Sequence, residues 1–111
     1  MENYPLIAIG NGKEVRFFYP GQILYCISEG SYTKIKIDGG QTLMASKNLK
    51  EIEGLLPEDI FVRIHHGHII NLMYATKLVE NGEDNVVMSD GTSLPVSRRK
   101  KSNFMSRFHR L

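Results

Sequence analysis

The sequence predicts a mainly β domain of short antiparallel strands, with one short amphipathic helix in the middle and a second helix at the C-terminus. Three observations predict it. Apolar and polar residues alternate over short runs, as in Tyr32 to Ile37. Turn-forming clusters punctuate the chain at Asn11-Gly12-Lys13, Pro20-Gly21, Asp38-Gly39-Gly40, Asn81-Gly82 and Asp90-Gly91. Helical apolar spacing occurs at two places, between Ser46 and Pro57 and after Ser97. With 111 residues the chain is expected to be one domain, large enough to bury a core without disulfides or a structural metal.

Residues 1 to 13 are expected as a linker or a first short strand, Met1 to Pro5 being linker-like and Leu6 to Ile9 strand-like; residues 14 to 111 form the domain proper. The Asn11-Gly12-Lys13 turn leads into a β-rich run from Glu14 to Tyr19 with Val15, Phe17 and Phe18. After Pro20-Gly21, Gln22 to Ile27 holds an unbroken apolar run from Ile23 on, too short for a helix and flanked by breakers, hence a strand buried on both faces. Ser28 to Ser31 is a polar loop. Tyr32 to Ile37 then places Thr33, Ile35 and Ile37 on one face and Tyr32, Lys34 and Lys36 on the other. The Asp38-Gly39-Gly40 turn returns the chain as Gln41 to Ala45.

Ser46 is expected to N-cap a helix of about two and a half turns whose apolar face is Leu49, Ile52, Leu55 and Leu56, stopped around Gly54 to Pro57. Phe61 to Asn71 follows as two strands meeting at a corner that holds His65, His66, Gly67 and His68. Three short strands come next: Tyr74 to Glu80, Asn85 to Ser89 and Ser93 to Val96. Ser97 caps a last helix that docks through Phe104, Met105 and Phe108 and leaves its first-turn cations outside.

Composition narrows the function. The 41% hydrophobic and 23% charged content is that of a globular chain. The longest apolar runs fall far short of the ~18 residues of a membrane span, and no basic leader precedes a hydrophobic stretch. Cys26 is the one cysteine, lies in an apolar run, and fits a small core hydrophobe in a reducing cytoplasm. Charge is asymmetric. Residues 97 to 111 hold six basic residues and no acidic one, whereas residues 1 to 96 hold the other eight basic and all twelve acidic residues, a net of −4. A basic end folded beside the histidine corner would form a one-sided footprint for an anionic partner.

The three close histidines do not suggest a metal: His65 and His66, adjacent on a strand, are expected to point to opposite faces, and no cysteine or carboxylate stands at ligand spacing. Neither a framed nucleophile, paired carboxylates nor a phosphate-binding glycine loop is present, so no enzyme and no cofactor is expected. A module binding protein or single-stranded RNA is the alternative. The RNA version needs exposed aromatic residues on a sheet face, for which Tyr32 is the candidate.

Four blocks in order, ILYCISEGSYTKIKI (23 to 37), SKNLKEIEGLLP (46 to 57), FVRIHHGHIINL (61 to 72) and SDGTSLPVSRRK (89 to 100), resemble the LytTR DNA-binding domain of bacterial response regulators. The resemblance runs from about Glu14 to Phe108. It implies an elongated antiparallel β fold of about ten strands that places loops in successive major grooves of double-stranded promoter DNA. Direct repeats, DNA bending, a dimer on DNA and an upstream receiver or sensor domain are implied with it. Ser31 to Lys34, His65-His66 and Val96 to Arg98 match the three DNA-facing segments. Gly67 stands where a serine is usual, which removes a hydroxyl and leaves the corner freer. His68 stands where an aromatic is usual, and Asn71 matches a structural asparagine.

Residue chemistry assigns the roles. Arg98 is the leading candidate for base readout, since a guanidinium donates two parallel bonds to guanine O6 and N7. His66 donates to or accepts from a base edge more weakly, and Thr33 and Tyr32 complete the candidate base contacts, Tyr32 being equally a packing residue. Lys34, His65, Arg99, Lys100 and Lys101 are candidate phosphate contacts.

Overall fold

A computed structural model describes residues 3–111; Met1 and Glu2 of the expected linker-like start lie outside the described residues. Among the described residues there are ten strands: β1 (Ile7–Gly10), β2 (Val15–Phe18), β3 (Ile23–Glu29), β4 (Tyr32–Ile37), β5 (Thr42–Ala45), β6 (Phe61–His65), β7 (His68–Asn71), β8 (Ala75–Glu80), β9 (Asp84–Met88) and β10 (Ser93–Pro95). The two α-helices are α1 (Leu49–Glu53) and α2 (Arg98–Met105). All strand pairing is antiparallel, in a β1-β2 hairpin, a β10-β9-β8 sheet and a central β5-β4-β3-β7-β6 sheet. The molecule measures 45 × 33 × 24 Å.

The central sheet is covered on both faces, and its sequences show why. β7 sends Ile69 into one apolar cluster and Ile70 into the other. β3 divides likewise, Ile23 and Cys26 against Leu24 and Tyr25, as expected of a strand with no polar face. The first cluster lies under α1 and the β1-β2 hairpin, with Leu49, Ile52, Leu56, Ile9 and Phe18. Val86, Met88, Leu94 and Phe104 close the second from the three-stranded sheet and α2. Burial raises the Cys26 thiol to about 12, so it packs as a neutral hydrophobe.

α1 is shorter than its spacing suggests. Asn48, not Ser46, is the N-cap: its side chain accepts the Glu51 N–H at 2.9 Å while Glu51 accepts the Asn48 N–H at 3.2 Å, a reciprocal capping box. Leu55 lies beyond the helix and is 61% exposed, so it does not join the apolar face. Asn71 has the structural role expected of it. It is fully buried, accepts the Met73 N–H at 2.9 Å and donates to the Ile23 carbonyl at 2.9 Å.

Edge strand β6 is shielded by α2: Arg107 donates to the Phe61 carbonyl at 3.1 Å, and the Ser97 N–H donates to the Ile64 carbonyl at 2.9 Å. These two bonds hold the two ends of α2 against β6. Among the described residues no helix is long and apolar enough to cross a membrane.

Candidate nucleic-acid interface

Three chain segments meet at one end of the central sheet. The β3-β4 hairpin turns through Gly30 and Ser31, Gly30 adopting φ 62°, a left-handed conformation that glycine enters without strain. Next to it the β6-β7 hairpin turns through His66 and Gly67, and the Ser28 N–H donates to the Gly67 carbonyl at 2.9 Å. The third segment is the start of α2, held to β6 by the Ser97 to Ile64 bond.

Cross-strand register converts this meeting into a surface. Lys34 pairs with Met44 on one side and Ile27 on the other, Ile27 pairs with His68, and His68 pairs with His65. The row Met44, Lys34, Ile27, His68, His65 therefore crosses all five strands on one face, spanning roughly 19 Å at the usual strand spacing. Tyr32 stands two residues beyond Lys34 on the same face and is 52% exposed. Lys34 also reaches Glu29 at 3.5 Å, a solvent-exposed pair that a stronger anion can replace.

The histidines do not point apart. Ile64 is an extra, unpaired residue in β6, a bulge that brings His65 onto the face of Ile64 and His68 instead of the face of Arg63. The His65 and His66 rings lie 4.3 Å apart, and those of His65 and His68 4.9 Å apart. No such group forms a metal site among the described residues. Burial, then the neighbouring His66 and Arg63 charges, lowers the His65 pKa, so near neutral pH the ring is an uncharged N–H donor. His65 Nδ1 accepts the Gly67 N–H at 3.0 Å, which leaves Nε2 to carry the proton. His68 is held down to about 4 by burial and by the other two rings, and its Nδ1 is buried without a hydrogen-bond partner. His66 is exposed at the tip.

Gly67 does not loosen this corner. Its backbone lies outside the left-handed region, and an added Cβ would meet His65 Nδ1 at an ordinary 3.5 Å, so a serine fits equally. The residue that sequence reasoning missed is Arg63. Its Nε donates to the His65 carbonyl at 3.1 Å, its Nη2 to the His66 carbonyl, and its Nη1 to Glu53 at 2.8 Å. Nothing in the sequence links Glu53 and Arg63, because that contact depends on how α1 lies on the sheet.

At the start of α2 the Ser97 hydroxyl accepts the Lys100 N–H at 3.3 Å, as expected of an N-cap. Arg98 and His65 line one cleft of about 390 Å³, together with Val96, Ser97, Asp84 and Lys101. Among the described residues no carboxylate pairs with Arg98, Arg99 or Lys100. These charges at a helix N-terminus oppose the macrodipole, an arrangement that an anion relieves.

Two candidate contacts need correction. Thr33 has no exposed surface, and its hydroxyl donates to the Lys47 carbonyl at 2.8 Å, so it fastens the connection between β5 and α1 and cannot meet a base edge. It lies on the α1 face of β4, opposite Tyr32 and Lys34. Lys101 pairs with Asp84 at 2.6 Å and Glu80 at 3.5 Å, which leaves its charge largely answered within the chain. Arg110 pairs with Glu80 as well, and Arg107 is spent on backbone carbonyls, so the basic tail is less free than its composition suggests.

Comparison with known proteins supplies the family. The sequence profile of the LytTr DNA-binding domain matches residues 13–109. The chain belongs to that family. As a LytTR domain it is a DNA-binding domain. It is 30% identical over 95 residues to the sensory transduction protein LytT of Bacillus subtilis, covering 83% of this chain and 39% of that one. It is also 36% identical over 75 residues to the heme-containing CO-sensing transcriptional regulator RcoM 1 of Paraburkholderia xenovorans, covering 65% of this chain and 28% of that one. The chain thus spans well under half the length of these relatives. The LytTr DNA-binding domain of a Bacillus cereus response regulator superposes with a TM-score of 0.80 at 21% identity, covering 92% of this chain and 94% of that one, a likeness of fold.

Proposed function

We propose that this LytTR domain reads specific sequences in double-stranded promoter DNA, entering the major groove with its loops, as the output module of a bacterial transcriptional regulator in the cytoplasm. The observation that carries the reading is the convergence of both hairpin tips and the start of α2, with the unanswered cations Arg98, Arg99 and Lys100, at one end of the sheet. Arg98 is the main base reader, with His66 and Tyr32 as secondary contacts. Arg99, Lys100, Lys34 and His65 hold phosphates and set the register. Direct repeats, each bound by one copy, and a sensing or receiver portion that controls occupancy complete the proposal; the sensory names of the longer relatives support the latter.

The test is fluorescence anisotropy with random-sequence duplex DNA, with single-stranded RNA as competitor, between about 50 and 200 mM salt. Three phosphate-neutralising cations, Arg99, Lys100 and Lys34, predict a log–log salt slope of about −2.7. Salt-insensitive binding, or displacement by single-stranded RNA at equal concentration, would instead favour a protein- or RNA-binding module.

A further inference from the structure

We infer that Arg63 is a positioning residue for DNA recognition: anchored on Glu53 of α1, its guanidinium fixes the His65 and His66 carbonyls and so presents the histidine turn in one conformation. The inference rests on the proposed role of that turn in meeting DNA.

Arg63 pairs across the ladder with Ile69, whose side chain belongs to the cluster under α1. Its side chain therefore lies on the face opposite the Lys34, Ile27, His68 and His65 row, and it is only 16% exposed. That placement and the Glu53 carboxylate remove it as a direct phosphate contact. What it does contact is the backbone of the turn: Nε reaches one carbonyl, Nη2 the next, and Nη1 the anchor on a different element. A planar guanidinium with donors in a fixed fork can do this at three points at once, which a lysine ammonium cannot reproduce in the same geometry.

From the other side of the turn, the Gly67 N–H is held by His65 Nδ1 and the Gly67 carbonyl by the Ser28 N–H. A two-residue turn with a glycine would otherwise sample several backbone states, and DNA binding would have to select one. Holding it in advance removes an ordering cost at the moment of binding. The bulge at Ile64 makes the clamp necessary, because it interrupts the β6-β7 ladder immediately before the turn.

The experiment measures affinity for a duplex enriched from a random library by the unmodified protein. Arg63→Lys and Glu53→Ala are each tested with His66 present and in a His66→Ala background, well below each variant's melting temperature. Glu53→Ala removes an exposed side chain and so tests the clamp in a protein that folds even if an Arg63 variant does not. Each clamp substitution is expected to weaken binding about tenfold with His66 present, equivalent to re-ordering about one backbone residue, and to weaken it clearly less, through His65 alone, once His66 is gone. Gly67 amide exchange should quicken in both clamp variants. Unchanged affinity for both clamp variants, while His66→Ala alone weakens binding, overturns the inference and leaves the DNA reading standing. An equal loss in both backgrounds also overturns it, since Arg63 would then act independently of the turn. If His66→Ala itself has no effect, the turn's role in DNA reading fails and the inference falls with it.

Discussion

Ser97 donates its backbone N–H to the carbonyl of Ile64 across 2.9 Å. Through that bond the last residue before α2 is fastened to the bulged residue just before the histidine turn, so Arg98 and His65 come to line one cleft although they are 33 positions apart. The candidate base reader and the turn are therefore held side by side.

Arg98→Ala should lower specific affinity by about 1 to 3 kcal/mol and relax sequence preference at a single base pair. Arg99→Ala should weaken specific and random duplexes alike and reduce the salt slope by about one. Parallel titrations on both kinds of duplex separate the two outcomes; identical behaviour of the two variants would contradict the division of roles.

Lys101 should count for less than its neighbours. Since Asp84 and Glu80 already hold its ammonium, Lys101→Ala is expected to change the salt slope less than Lys100→Ala does. A larger change for Lys101 in salt titrations would place it on the DNA.

Thr33→Val keeps the side chain's shape and removes only the hydroxyl that donates to the Lys47 carbonyl. With that carbonyl left short of a donor, the folded state should lose about 1 to 3 kcal/mol in urea unfolding, while DNA affinity of the folded protein stays unchanged. A selective loss of affinity would restore Thr33 to the interface.

Acid should weaken the fold through His68. Its pKa falls from the ordinary 6.5 to about 4 on folding, chiefly because of burial, so below 6.5 the unfolded chain binds the proton that the folded one refuses. The stabilisation is whole above about pH 6.5 and is lost as the pH drops towards 4. With the ring only half-buried, solvent screening leaves about 1 to 2 kcal/mol of the effect. Urea midpoints across this window should fall for the parent protein and flatten for His68→Gln; equal slopes would contradict the assignment.

The strands were legible where local pattern and tertiary position agree. Tyr32 to Ile37 alternates because β4 lies over a core on one side, and the observed strand has those bounds. Gln22 to Ile27 was expected to be a strand buried on both faces; Ile23 to Cys26 of β3 are, since the central sheet has no wet face there, whereas Gln22 lies in the 3-10 turn before the strand and is exposed and Ile27 is partly buried. Ser97 was readable as a cap. α1 was overextended, because Leu55 has helical spacing but follows the helix; the Asn48 to Glu51 box was the better start signal. The facing of His65 was hidden, because a bulge changes which way a side chain points without changing composition. Thr33 carried a similar ambiguity: a hydroxyl beside two exposed residues looks available until a carbonyl fourteen positions away claims it.

The most direct measurement is selection from a random duplex library at two salt concentrations, using the parent protein with Arg98→Ala and His66→Ala alongside. The account predicts a short enriched motif, affinity that drops steeply with salt, and loss of one motif position in the Arg98 variant with a weaker change in the His66 variant. No enriched motif, with weak binding that neither substitution alters, would contradict it.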